Sequence, residues 1–279
     1  MMLPHLAGRA VTLVRFPDGA HRPGFFEKNC PDHRPEWVAT APFLARSNGD
    51  VVHHCLVEDL PTLIWLANLA ALELHAPMAR AADPEHPTTI VFDLDPGAPA
   101  AMRESAAMAI RLRDLLDDLG LVAIPKSSGK KGIHVYLPLN PPATTGGGRR
   151  SSKTERATQQ DAQDFARAIA EVLARRHPDE VVTTQKKELR VGKVLVDWSQ
   201  NTRHKTTVAP YSLRAGDAPS VSAPVTWEEV EAVAEGADPD TLRFDPDVVT
   251  GRVETQGDLF RQVLEMVQDL PARGTRAPT

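Results

Sequence analysis

Few folds accommodate the stretch Thr89-Ile90-Val91-Phe92-Asp93-Leu94-Asp95-Pro96-Gly97. A β-branched and aromatic run of this length, closed by Pro-Gly, predicts a strand followed by a sharp turn. Side chains alternate along a strand, so Ile90, Phe92 and Leu94 share one face while Val91, Asp93 and Asp95 share the other. Two carboxylates then stand at the end of an otherwise apolar strand, where they repel unless a cation neutralises them. A hard, oxygen-liganded cation such as Mg²⁺ or Mn²⁺ suits such a pair. A charged strand end facing solvent needs no metal and stays open as the alternative.

A third acid has the same setting. Val194-Leu195-Val196-Asp197-Trp198-Ser199-Gln200-Asn201 predicts a strand that places Leu195 with Asp197 on one face and Val194, Val196 and Trp198 on the other. Three carboxylates on two strands are a minimum for holding two metals about 3.5–4 Å apart in phosphoryl transfer. Between the two acid strands lies Lys126-Ser127-Ser128-Gly129-Lys130-Lys131-Gly132, followed by the strand Ile133 to Leu139. Glycines there can expose backbone N–H groups to an anion, and the lysines add charge. The loop is not a Walker A loop, because no Gly-x-x-x-x-Gly-Lys-Ser/Thr precedes a helix.

Other segments give weaker signals. Ala10 to Phe16 and Val51 to Val57 predict strands, and Pro17-Asp18-Gly19 a turn. Asp59 is expected to cap a helix from Leu60 to Leu74 that ends at His75, with Pro77 stopping it. Further helices are expected over 99–119, 154–176, 227–235 and 258–270, with short strands over 121–125 and 181–184. Residues 140–152, with their prolines and glycines, are expected to form a flexible connection, and 185–193 a basic turn. Adjacent Phe25 and Phe26, beside Lys28, can plug a core or stack on bases.

Length and composition set outer bounds. A chain of 279 residues with 42% hydrophobic and 25% charged residues can bury a substantial core. A net charge of −5 argues against indiscriminate coating of nucleic acid. Basic clusters at Lys126, Lys130 and Lys131, at Arg149, Arg150 and Lys153, and between Lys186 and Lys205 can still bind phosphates locally or simply face solvent. No apolar run is long enough to cross a membrane, and the N-terminus lacks a signal-peptide core. Cys30 and Cys55 are too few for a disulfide framework, so a reducing cytosol is the expected setting. Cys30, His33, His53, His54 and Cys55 have zinc-ligand chemistry, in a spacing that matches no zinc motif.

Taken in order, Phe92 to Gly97, Ser127 to His134 and Val196 to Asn201 resemble the three catalytic motifs of the archaeo-eukaryotic primase superfamily. The resemblance is to the polymerase domain of bacterial DNA ligase D, the end-joining enzyme. Thr206 to Arg214 and Phe25 to Lys28 are also similar to that domain, and the resemblance extends to about Asp258.

It implies a mixed α/β primase-polymerase fold with two sheet-based modules, one like an RNA-recognition fold, and the active site in the cleft between them. It implies a single domain over 1–270, with 271–279 a disordered tail. Asp93, Asp95 and Asp197 would be catalytic and hold two divalent ions, Mn²⁺ or Mg²⁺. Ser128, Lys131, His134 and Arg214 would grip the nucleotide's phosphates, and His75, Gln200 and Lys205 fall at other active-site positions. Phe25, Phe26 and Lys28 would contact DNA, with Arg190 where the template or downstream strand approaches.

The implied activity is template-directed addition of NTPs, in preference to dNTPs, to primer 3′-ends at DNA breaks or gaps in non-homologous end joining. The implied setting is the cytoplasm, at the bacterial nucleoid. No Lys-x-Asp-Gly ligase motif occurs, so a separate DNA ligase and the Ku end-binding protein are expected partners.

Against the family pattern, the resemblance implies that a leading segment, whose lysines would bind a downstream 5′-phosphate, is missing here through a mis-called start or a real difference. Met78 stands where relatives often carry tryptophan, and residues 146–150 look inserted. Two other readings stay open: a DNA-end-bridging module with weak catalysis, and a haloacid-dehalogenase-like phosphatase.

Overall fold

The alternation around Asp93 forms as expected, on the middle strand of a sheet whose apolar face is buried. The structure is a computed structural model that describes residues 1–44, 49–140 and 156–271. Its first part runs α1 (Leu3–Leu6), β1 (Ala10–Arg15), β2 (Phe25–Glu27), β3 (Thr40–Leu44), β4 (Val51–Leu56), α2 (Leu60–Asn68), β5 (Ala71–Ala76), β6 (Ala79–Arg80) and β7 (Asp83–Pro87). Then come β8 (Thr89–Pro96), α3 (Met102–Asp117), β9 (Ile124–Ser127), β10 (Ile133–Pro138), α4 (Gln159–Arg176), β11 (Val181–Val182) and β12 (Val194–Asp197). The last part comprises β13 (Thr207–Val208), β14 (Leu213–Arg214), β15 (Ser220–Val221), α5 (Trp227–Glu235), α6 (Pro246–Gln256) and α7 (Gln262–Glu265).

Two sheets dominate. One has the order β13-β5-β1-β4-β3 with β2 also on β1, and the other the order β11-β12-β8-β10-β9. The second carries the acids. Ile90, Phe92 and Leu94 are fully buried on its helix-covered face, in one core with Ala109 and Leu112 of α3 and Ala166 and Ile169 of α4. The first sheet packs a separate core that includes Leu6, Val11, Leu13, Leu66 and Leu74. A third cluster forms where Val91 and Tyr136, on the acid-bearing face, meet Met78 and Phe260. That part of the face is closed, which leaves the end with the acids for chemistry. The mixed α/β class and the two sheet modules match the expectation.

Several elements differ from it. The helix from Leu60 ends at Asn68, because Ala70 takes a left-handed φ of 57° and the chain enters β5. His75 is therefore a strand residue facing Thr12 of β1, not a helix cap. The helix expected from Thr154 begins at Gln159, where Thr158 and Asp161 form a reciprocal cap. Asp258 to Leu270 contains only the short α7. Carbonyls there are taken by side chains instead: Asn140 Nδ2 donates to Val263 O and Met266 O, each at 2.8 Å. Helix α6 was not foreseen, although Asp245 caps it and Pro246 opens it. Its Val- and Thr-rich sequence buries only Val249 and so shows no clear stripe.

Cys30 and Cys55 form a disulfide with Cα atoms 5.0 Å apart, so neither is a zinc ligand. The bond ties the segment after β2 to β4. No helix among the described residues is long and apolar enough to cross a membrane. The connection at 141–152, with Arg149, Arg150 and the insertion at 146–150, lies outside the described residues, as do Lys153 and the tail from 272.

Buried histidines make stability pH-dependent. Burial lowers the pKa of His5 below 6.5 despite Asp258 Oδ2 at 2.9 Å, and it lowers that of His54 on β4 likewise. Below pH 6.5 the unfolded chain binds protons that the folded chain refuses, so folding stability falls with pH from about 6.5 downward. Urea midpoints are expected to be lower at pH 5 than at pH 7.5. An equal or higher midpoint at pH 5 would contradict this account of the two histidines.

Candidate active site

Strand register gathers the site. β12 and β10 flank β8, with Asp197 opposite Asp93 and His134 opposite Asp93 on the other side. β9 extends the row by placing Lys126 opposite His134. Directly opposed residues share a face. Asp197, Asp93, His134 and Lys126 thus form one line across four strands, and Asp95 lies two residues further along β8.

Each acid has protein partners. Asp93 Oδ1 is 3.4 Å from His134 Nε2, and its Oδ2 is 3.5 Å from Gln200 Nε2. Asp197 Oδ2 accepts from Gln185 Nε2 at 2.8 Å and Gln200 Nε2 at 2.9 Å, while Oδ1 accepts from the Ser199 backbone at 3.0 Å. Asp95 pairs with Lys131 Nζ at 3.1 Å and with the guanidinium of Arg190. Among the described residues, no three His, Cys, Asp or Glu side chains are gathered closely enough to cage a metal. The donor set is nevertheless suitable for hard cations: three carboxylates on one face, supplied by two adjacent strands.

Gln200 owes its place to Asn201. β12 pairs with β8 only as far as Asp93, and Asn201 continues the ladder with its side chain. Its Oδ1 accepts from Val91 N at 2.8 Å and its Nδ2 donates to Val91 O at 2.7 Å. The 3-10 turn Trp198–Asn201 is thereby pinned beside the acids.

The local field is strong. Burial opposes ionisation of Asp93, yet His134, Lys126 and Arg214 outweigh it and hold the carboxyl below its ordinary value. Burial, reinforced by Lys126, pushes His134 down to about 4, which leaves it neutral near pH 7. The Lys126 ammonium is pushed well down by burial and then by Arg214. Its Nζ donates to Ser222 Oγ at 2.5 Å. His134 Nδ1 and Arg214 Nε are buried polar atoms with no protein partner. Orphans of this kind are rare in a folded chain and mark places for a ligand or water.

The basic loop is pre-shaped by its serines. Ser127 Oγ accepts from Gly129 N at 3.1 Å, and Ser128 Oγ accepts from Lys130 N at 3.2 Å and Gly132 N at 3.1 Å. These N–H groups were expected to face an anion; the hydroxyls occupy them instead. Gly129 has φ 73°, and a Cβ there would lie 2.6 Å from Arg214 Cγ. The loop is packed directly against β14, and only glycine fits.

The remaining predicted residues fall into four places. His75 and Arg214 meet at Glu73, with His75 Nε2 at 3.2 Å and Arg214 Nη1 at 3.5 Å from its carboxylate. Phe25 and Phe26 on β2 are 46% and 67% exposed, and Phe26 lies edge-on to His75 at 5.8 Å. Lys28 and Lys205 are exposed, Lys28 just beyond β2 and Lys205 before β13. Arg190 is turned inward onto Asp95.

Glu73, Lys126 and Gln185 were not singled out as site residues. A strand reading of Leu72-Glu73-Leu74-His75 would have put Glu73 beside His75. Lys126 and Gln185 reach the acids through sheet register and the turn before β12, which local sequence does not show.

Residues 1–260 match the LigD primase-polymerase domain family. A multifunctional non-homologous end joining protein LigD from Mycobacterium bovis is 38% identical over 271 residues, covering 94% of this chain and 33% of that protein. A bifunctional non-homologous end joining protein LigD from Bacillus subtilis is 34% identical, covering 97% of this chain and 40% of that protein. The chain thus spans a third to two-fifths of the length of these relatives. The polymerase domain from Mycobacterium tuberculosis ligase D, solved in complex with DNA, superposes with a TM-score of 0.83. It shares 38% identity and covers 96% of this chain and 88% of its own. A sheet carrying three acids on one face, a serine-braced basic loop and these matches along the chain lead to one assignment: the chain belongs to the LigD primase-polymerase domain family.

Proposed function

We propose that this chain is a nucleotidyltransferase that extends primer 3′-ends at DNA breaks or gaps under template direction, in support of non-homologous end joining. The observation that carries the reading is the line of Asp197, Asp93 and His134 across β12, β8 and β10, beside a loop that presents Lys130 and Lys131. The residues fit two divalent ions, Mn²⁺ or Mg²⁺, held by Asp93, Asp95 and Asp197. When bound, such ions lower the pKa of an attacking hydroxyl and neutralise charge on the leaving pyrophosphate.

The chain's own residues do the rest. Gln185, Gln200 and the Ser199 N–H hold Asp197 in one orientation. Lys131 and Arg190 neutralise Asp95, and their side chains can turn to phosphate instead. Arg214, whose Nε is a buried donor without a protein partner, would meet a triphosphate lying between loop and acids, and His134 stands beside it on Asp93. Preset positive charge such as that of Arg214 is worth most where charge develops during transfer. Ser128 braces the loop, His75 backs Arg214 through Glu73, and Lys205 adds charge at the rim. Phe25, Phe26 and Lys28 offer a stacking and phosphate surface to DNA. The reading places the protein at the bacterial nucleoid, in the cytoplasm, with Ku and a ligase as partners.

Primer extension on gapped DNA tests the reading. Extension is expected with Mn²⁺, and faster with NTPs than with dNTPs. Tight binding to DNA ends without incorporation at any metal concentration would replace it with an end-bridging role.

A further inference from the structure

Glu73 is a buried acid, 5% exposed, on β5 in the sheet that does not carry the catalytic acids. Its carboxylate nevertheless reaches, besides His75 on its own strand, two other parts of the chain. Oε2 lies 3.2 Å from His75 Nε2 and 3.5 Å from Arg214 Nη1; Oε1 accepts from Ala215 N at 3.1 Å and lies 3.8 Å from Lys130 Nζ. Burial disfavours its charge, but His75, Arg214, Lys130 and the Ala215 N–H together hold the carboxyl below its ordinary value. A buried carboxylate is tolerated only when so satisfied, and an arginine with one fixed edge presents its remaining donors in one direction.

We propose that Glu73 is the positioning residue of the nucleotide pocket, fixing Arg214, His75 and Lys130 as one unit for a nucleoside triphosphate. The proposal rests on the reading of Arg214 as a phosphate ligand. Glu73 forms an ion pair with the guanidinium at 3.5 Å, while the loop at Gly129 packs so closely on the arginine stem that an added Cβ would lie 2.6 Å from Arg214 Cγ. Arg214 Nε is left without a protein partner. His75, donating through Nε2 to Glu73, turns its opposite edge away from the acid, and Phe26 stands edge-on to it. One carboxylate therefore links the exposed aromatic on β2, the loop lysine and the arginine of β14.

The sign of the effect separates positioning from charge. Glu73→Gln removes a negative charge and keeps the shape. If Glu73 acted only through its charge, the variant would bind polyphosphate more tightly. Positioning predicts weaker binding: about tenfold in the dissociation constant for a non-hydrolysable NTP with Mn²⁺ and gapped DNA. It also predicts an NTP KM about tenfold higher with kcat within about threefold. In an Arg214→Ala background, Glu73→Gln is expected to change binding less than twofold.

Tighter or unchanged binding by Glu73→Gln, or effects that add in the double variant, would overturn the proposal. Should Glu73→Gln fail to fold, Glu73→Asp keeps the charge but withdraws it by one methylene. Weakened binding is again expected, and wild-type affinity would count against positioning. If Arg214→Ala binds the NTP as well as the wild type does, the reading of Arg214 fails. If only the Glu73 variants match the wild type, the positioning role alone fails.

Discussion

Replacing Asp93 with Asn is expected to lower nucleotide incorporation by about 10³-fold or more, with DNA binding changed less than about threefold. Asp93 sits where three strands meet, opposite Asp197 on one side and His134 on the other. The substitution preserves size and a hydrogen-bonding oxygen but removes the charge shared by any cation held between the acids. The fold should tolerate it. The amide gives up a net favourable interaction of the charge with His134, Lys126 and Arg214, but it fits the same space and leaves the packing of Phe92 and Leu94 beneath untouched. Extension rate and DNA affinity, measured on one preparation, give the answer together. Extension at the wild-type rate would remove Asp93 from the mechanism, and with it the two-metal reading.

A second large effect is expected from Gly132→Ala, at the end of the basic loop. An added Cβ would lie 2.2 Å from Leu94 O, a backbone atom of the neighbouring strand, and 3.5 Å from Pro96 Cδ. Backbone in the middle of a sheet cannot yield like the tip of a side chain, so β10 and β8 must part at the end that carries Asp93, Asp95 and His134. The expected cost is about 3 kcal/mol of folding stability and at least about tenfold in activity, since small misplacements of reacting groups are costly. Gly251→Ala serves as the control. That glycine lies within α6 with nothing within 4 Å of an added Cβ. Alanine there should stabilise by roughly 0.5–1 kcal/mol. Equal urea midpoints for Gly132→Ala and the wild type would show that the close approach of the strands is not enforced.

The acid strands were legible because their signal is local. In Thr89–Pro96 and Val194–Asp197, alternation fixes which side chains share a face, and the structure keeps those faces. Glu73 was hidden by a competing local signal: the Leu- and Ala-rich run after Asp59 continues the helical spacing past the point where Ala70 turns left-handed. Once β5 was read as helix, Glu73 and His75 no longer shared a face, and the anchor of Arg214 was lost with them. Lys126 was legible as a charge but not as a member of the row, because its neighbours are set by the pairing of β9 with β10.

Tertiary approach decided other cases. Cys30 and Cys55 are separated by 25 residues, and only the packing of β4 against the segment after β2 makes them partners. Arg190, read as facing DNA, is drawn onto Asp95 by the turn around Gly97, whose N–H donates to Lys193 O at 2.8 Å. A Cβ on Gly97 would lie 2.0 Å from Arg190 O, so glycine is what admits that approach. The segment 258–270 had the composition of a helix but lost its carbonyls to Asn140 and has only one short turn of it.

The most direct test of the account is the stoichiometry of one nucleotide addition. Wild-type protein, Mn²⁺, gapped DNA with a single templating base and a labelled NTP would be mixed, and primer extension and phosphate products followed together. The account predicts one pyrophosphate released per nucleotide added, for the complementary NTP only, and neither product in Asp93→Asn. Orthophosphate released without extension, or addition indifferent to the templating base, would contradict it.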